Sequence, residues 1–289
     1  MFDRTREDTS NIVMLEHVNL TIPDQALATL FYVKGLGLTR DPYMMVELDN
    51  MWINAGRMQF HLPSRGGAAQ RLSGRIGLVL PDLDALESRL GAVAPRLAGT
   101  GFTFRRSGSV IEATCPWGNC FTCHAPDTAR WGPMTLGLAY VSLDVAPGAA
   151  RAVAAFYEHF LAAPATLEAA DDGLFRAAVR IGADQRLLFT ETRAAIPDYD
   201  GHHVQVYMAD FSGPYRRLLE HGLVSRETDA HEWRFIDIVD PQSGTLACRL
   251  EHEVRSLRHP LYGRPLINRN PAQTNRDYRR GQDAFVGPT

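Results

Sequence analysis

His203-Val-Gln-Val-Tyr-Met-Ala-Asp210 decides the reading of this chain, because three other segments repeat its pattern without a gap. They are His17-Val-Asn-Leu-Thr-Ile-Pro-Asp24, Arg75-Ile-Gly-Leu-Val-Leu-Pro-Asp82 and Tyr140-Val-Ser-Leu-Asp-Val-Ala-Pro147. Each reads as an alternating strand, then a turn with an acidic residue or proline, then a helical pattern. The starts lie 58, 65 and 63 residues apart, a near-constant period that marks internal repetition. In the fourth copy, alternation puts His203, Gln205 and Tyr207 on one face and His202, Val204 and Val206 on the other. A polar strand face in a globular chain is expected to look into a cavity, since dry burial would strand hydrogen-bonding groups.

The helical patterns run over 25–36, 83–90, 149–161 and 211–219. Two or three short strand-like runs follow each: 43–48, 51–54 and 58–62; 103–106, 110–114 and 120–124; 174–181 and 186–190; 232–238 and 246–250. The unit is βαβββ, four times over, which predicts an α+β fold. One such unit cannot cover its own sheet face, so the copies are expected to pair and curl around shared, cup-shaped interiors. The expected division is a first module of two units over 11–127, a second over 135–253, and an extended tail over 254–289. The tail is rich in Pro, Arg and Asn. Its Leu261, Tyr262, Leu266 and Ile267 suit a strap or an oligomer-contact arm against the body.

The 289 residues are 45% hydrophobic with a net charge of −3. They suffice for a large core and give no reason to expect nucleic acid or an anionic membrane as partner. No apolar run approaches the ~20 residues of a membrane span. The charged N-terminus lacks the apolar centre of a secretion signal, so a soluble cytoplasmic protein is expected. Cys120-Phe-Thr-Cys123-His124 has the spacing of covalent haem attachment. Without a secretory context, buried thiols are the simpler reading, and adding Cys115 does not give a usual zinc pattern.

Together with the four strand–helix starts, Phe31-Tyr-Val-Lys-Gly-Leu-Gly-Leu38, Ala155-Phe-Tyr-Glu-His-Phe-Leu161 and the turns Pro116-Trp-Gly-Asn119 and Asp240-Pro-Gln-Ser-Gly244 carry a family likeness. Over about residues 11–252 the chain resembles the vicinal oxygen chelate superfamily, which includes glyoxalase I, extradiol dioxygenases and bleomycin-resistance proteins. The resemblance implies a metal held between two copies by residues from the first and last strands of each. Carried over residue by residue, the first-strand positions are His17, Arg75, Tyr140 and His203. In the first copy's last strand Gln59 takes the ligand position, with His61 on the same face. In the fourth copy the register is open between Cys248 and Glu251, and Glu251 is favoured because a buried carboxylate needs a cation.

The implied ligand set is therefore His17, Gln59, His61, His203 and Glu251 around one divalent ion, with Zn, Ni, Mn and Fe all compatible. The metal would act as a Lewis acid on two adjacent substrate oxygens, with Glu251 transferring protons. Arg75, Tyr140, Gln205, Tyr207 and Cys248 are the candidate pocket residues. Copies one and four would face each other in a glyoxalase-like arrangement; copies three and four would in an extradiol-like one. The expected activity is glyoxalase-like lyase or isomerase chemistry, or dioxygenase chemistry, on a small oxygenated molecule. The alternatives are a metal-free protein that sequesters an apolar ligand and an Fe(II) ring-cleaving dioxygenase. The partners expected are a small-molecule substrate and, in an assembly this reading allows, a second copy in a homodimer.

Overall fold

The structure, a computed structural model, describes residues 4–41, 49–64 and 66–264. Its strands, in chain order, are β1 (Ile12–Asn19), β2 (Thr39–Arg40), β3 (Asn50–Ala55), β4 (Met58–Pro63), β5 (Gly74–Val79), β6 (Thr103–Ser107), β7 (Val110–Thr114) and β8 (Cys120–His124). The second half gives β9 (Gly137–Val145), β10 (Ala165–Ala169), β11 (Phe175–Ile181), β12 (Gln185–Glu191), β13 (His203–Met208), β14 (Val224–Asp229), β15 (Glu232–Val239) and β16 (Leu246–Ser256). The four long strands β1, β5, β9 and β13 open the four repeats.

A helix follows each of them. The first begins as α1 (Gln25–Ala28), capped by Asp24, and widens into π turns over Thr29–Gly35. The others are α2 (Leu83–Val93), α4 (Ala149–Leu161) and α5 (Ser212–Glu220); a short α3 (Thr128–Trp131) lies between the halves. The Asp24 and Asp82 carboxylates accept backbone N–H groups at the helix starts, which is why an acidic residue recurs at that point of the repeat. The expected strand at 43–48, with Met44 and Met45, lies outside the described residues.

Two eight-stranded mixed sheets result. The first has the order β14-β15-β16-β13-β1-β4-β3-β2 and the second β10-β11-β12-β9-β5-β8-β7-β6. Copies one and four therefore share the first sheet, and copies two and three the second. The joint in the first is β1 against β13, antiparallel; β4 and β16 add in parallel on either side. This is the glyoxalase-like pairing; copies three and four, the extradiol-like alternative, do not share a sheet.

One face of each sheet is apolar and packed by the helices. Val18, Phe60, Val204, Val206, Leu250 and Val254 are fully buried on that side of the first sheet. Removing such side chains from water stabilises the fold by about 1.5–3 kcal/mol each. His252 joins them: its ring stacks on Phe235 at 4.3 Å and its Nε2 meets the Tyr157 hydroxyl of α4 at 2.7 Å. Two hairpin turns lock the sheets together. Gly56, at φ 66°, sits against the Leu136 carbonyl and Gly182, at φ 55°, against that of Val13; a Cβ at either would lie within 2.4 Å of oxygen. No helix among the described residues is long and apolar enough to cross a membrane.

The second sheet carries a titratable group with a measurable consequence. His124 is 7% exposed and bonds the Tyr140 hydroxyl at 3.1 Å through Nε2, with Trp131 of α3 at 5.0 Å. Burial first, and the Arg130 cation second, push its pKa down to about 4. An unfolded histidine titrates near 6.5, so between those values the unfolded chain binds more protons and stability falls as pH falls. The contribution is complete above about pH 6.5 and shrinks by about 2 kcal/mol at pH 5. Thermal unfolding of His124→Gln at pH 7 and pH 5 is expected to show a smaller acid-induced drop than wild type; equal drops would refute it. His252 and His259, also pushed to about 4 chiefly by burial, supply the slope that remains.

Candidate metal centre

The non-helical face of the first sheet is polar where copies one and four meet. Register decides which side chains gather there. His17 of β1 lies opposite Gln59 of β4 and Gln205 of β13, while His203 lies opposite Asn19 of β1 and Glu251 of β16. Gln205 in turn lies opposite Glu253. The rows are staggered, so the donors that converge are His17, His203 and Glu253, each offering an atom within 4.8 Å of the others'. All three are buried, at 0%, 9% and 3% exposure. The Nε2 atoms of His17 and His203 are buried and have no hydrogen-bond partner, although His203 Nε2 lies 3.4 Å from Glu253. Orphaned buried nitrogens are costly, about 1–3 kcal/mol each; a bound cation would satisfy both.

Around the triad runs a buried charge network. Arg255 approaches Glu253 at 2.6 Å, Glu232 at 3.2 Å and Glu16 at 3.9 Å. Arg234 pairs with Glu251 at 2.7 Å, with Glu232 at 3.1 Å and with Glu253. Four carboxylates therefore face two guanidinium groups, leaving two negative charges, the amount a divalent ion cancels. Burial alone would raise the Glu253 carboxyl, but the His203 contact and the Arg255 cation hold it well below the usual range. Burial lowers His203 against the pull of Glu253. It pushes His61 well down, helped by neighbouring His17 and His203. Lowered imidazoles keep their lone pairs at neutral pH, which is what metal ligation requires. The residues present fit a divalent ion.

The sequence-derived residues divide clearly. His17 and His203 lie together, with Glu253. His61 lies beside them, 5.8 Å from His17 ring to ring, stacked on Trp52 at 3.9 Å with Nε2 donating to Asn50 at 2.7 Å. Gln59, opposite His17 in the register, is hydrogen-bonded to other partners. Its amide donates to Asn54 at 2.6 Å and Asp41 at 2.8 Å, and Arg264 of the tail approaches both Asp41 (2.8 Å) and the Gln59 carbonyl (3.4 Å).

Glu251 must also be corrected: it ends on Arg234, and the carboxylate beside the histidines is Glu253, two residues on. Cys248 pairs opposite Ile238 on the helix-facing side of β16, and burial pushes its thiol up to about 12. Arg75 and Tyr140 lie in the second sheet, where Arg75 contacts Glu112 at 3.5 Å and Tyr140 contacts His124. By register, Arg75, Tyr140 and Leu188 stand there in the places of His17, His203 and Glu253, so that sheet offers no matching donor set.

Gln205 and Tyr207 do point from the polar face of the first sheet. Both Gln205 amide atoms and the Tyr207 hydroxyl are buried without partners. Beyond Tyr207 a cleft of about 700 Å³ is lined by Met14, Glu16, Leu38, Arg57, Leu136 and Tyr262, among others. The tail borders it, with Tyr262 against Tyr207 at 4.8 Å; Leu266 and Ile267 lie outside the described residues.

No family model matches the chain, and no curated relative does. Solved structures do. Glyoxalase I from Zea mays superposes with a TM-score of 0.62 at 14% identity, covering 84% of this chain and 92% of that one. A proposed dioxygenase from Bacillus subtilis subsp. subtilis str. 168 superposes with a TM-score of 0.57 at 13% identity, covering 97% and 93%. At such identities the likeness speaks for the fold: the chain has the fold of the vicinal oxygen chelate superfamily.

Proposed function

We propose, with the vicinal oxygen chelate fold as the premise, that this chain is a divalent-metal enzyme acting on a small molecule with two adjacent oxygens. The observation that carries the reading is the convergence of His17, His203 and Glu253 with two imidazole nitrogens left unpartnered. A bound metal would supply Lewis-acid stabilisation of an anion on those oxygens. The protein supplies the rest. Arg234 and Arg255 hold Glu253 in place. Gln205 offers an amide donor and acceptor to the substrate beside the triad, and Tyr207 a hydroxyl. His61, kept neutral and oriented by Asn50, can take and return a proton at Nδ1. Glu251 then serves to fix Arg234 rather than to transfer protons.

One observation favours the Fe(II) variant of this reading. The Gln59 amide nitrogen donates to Asp41 and Asn54 and its carbonyl faces Arg264. The His and carboxylate donors that converge are two histidines and one carboxylate, a set that suits ferrous iron in oxygenases. Metal analysis of protein purified without chelators is expected to give about one divalent ion per chain. Metal-free protein stabilised only by apolar ligands would replace the reading with that of a sequestering protein. Oxygen consumption on addition of catechols to anaerobically iron-loaded protein separates ring cleavage from glyoxalase-like chemistry.

A further inference from the structure

Glu16 is not part of the repeat's alternation, yet it ends up beside the histidines. In a regular strand the neighbours Glu16 and His17 would face opposite sides of the sheet, and Glu16 would enter the apolar core. The register of β1 on β13 shows why it does not. Leu15 lies opposite Val206 and His17 opposite Gln205, so Glu16 is an extra residue, a β-bulge. Bulges re-aim side chains and occur next to active sites.

This one is braced from the other sheet. β4 pairs with β1 only from His17 onward, so the outer backbone edge of Leu15 is open to another partner. The Gln185 side chain of β12 fills it, accepting the Leu15 N–H at 3.0 Å and donating to the Leu15 carbonyl at 2.9 Å. The same amide donates to the Leu138 carbonyl at 2.9 Å. The bulge thus turns Glu16 and His17 to one side, where Glu16 Oε2 meets His17 Nδ1 at 2.8 Å. Arg255 stands 3.9 Å behind the carboxylate.

The geometry points to Glu16 as a positioning residue: by accepting the His17 Nδ1 proton it fixes the tautomer and ring plane that present the Nε2 lone pair to the site shared with His203 and Glu253. This rests on the metal reading above, but the tautomer is a property of the protein alone. A carboxylate behind a ligating imidazole sets the tautomer and raises the basicity of the ligand, and losing it costs roughly 10–100-fold in metal affinity. Glu16 also borders the cleft of about 700 Å³.

Two measurements test the inference. In metal-free protein carrying ¹⁵N-histidine at pH 8, long-range ¹H–¹⁵N spectra should show His17 protonated at Nδ1 and bare at Nε2; a proton on Nε2 overturns it. In Zn²⁺ or Co²⁺ titrations, Glu16→Ala should weaken binding roughly 10–100-fold. Glu16→Gln, which keeps an acceptor for the Nδ1 proton, should recover part of that loss. Variants that bind as tightly as wild type overturn the assignment. A wild-type protein that binds neither ion would instead remove the metal reading, and the tautomer spectrum still decides for or against Glu16.

Discussion

His203→Ala and His17→Ala are each expected to abolish stoichiometric metal binding while the metal-free protein keeps its fold. Among the described residues the His, Cys, Asp and Glu donors that converge are three, so removing one imidazole leaves two. The loss should exceed the roughly 10–100-fold that removal of an outer partner costs. The metal-free variants should lose some stability, because each deletion opens a cavity and takes a partner from a buried carboxylate, Glu16 for His17 and Glu253 for His203. Removal of an unpartnered Nε2 partly offsets that loss. The two effects separate in one experiment. Wild type should gain about 2.7 kcal/mol, and a higher Tm, when the ion is present at a hundred times its dissociation constant. Neither variant should respond. His61→Ala is the internal comparison: its ring is stacked on Trp52 and hydrogen-bonded to Asn50, outside the converging group, so it should keep most of the metal response and lose turnover. Binding that survives undiminished in both His17→Ala and His203→Ala would remove the site.

Which parts of this arrangement the sequence could reveal follows from the kind of order each part depends on. The recurrence of the octet beginning at His17, Arg75, Tyr140 and His203 is local and periodic, so it discloses the unit, its number and its α+β character. Pairing of the copies is not local. All four opening strands alternate alike, and copy one could add to any of the others; the antiparallel joint of β1 and β13 appears only in the sheet order. The carboxylate was missed at a strand boundary. The last strand reads over 246–250, and no further than His252 where its ligand register is weighed, whereas β16 runs to Ser256. Extended to Ser256, it shows Glu251, Glu253 and Arg255 on one face, a pattern that was present in the sequence. Choosing between the two glutamates needs the stagger of three strands, since His17 shares its row with Gln205 and hence with Glu253. Glu16 was missed for a different reason. A bulge is one residue out of phase, and alternation assigns that residue to the wrong side.

Glu253 and Glu251 offer the sharpest contrast in the molecule, because they differ by one step along the same strand face and by almost everything else. Glu253 is 3% exposed and contacts His203, Arg234 and Arg255. Replacing it by glutamine keeps the shape and removes the charge. Two buried guanidinium groups then lose a counter-ion, and breaking such a network costs about 3–5 kcal/mol. The surplus of two negative charges that a divalent ion would cancel falls to one, and the carboxylate donor itself is gone, so metal binding should fail as well. Glu251 has a side chain 21% exposed and is bonded to Arg234, which Glu232 and Glu253 also hold. Its replacement by glutamine should cost about 1 kcal/mol or less, as for a partly solvated pair, and leave the metal bound. Denaturant midpoints and metal titrations on the two variants give four numbers with a fixed ordering. If Glu251→Gln lost the metal and Glu253→Gln retained it, the carboxylate ligand would be Glu251, and the register argument that selects Glu253 would be wrong.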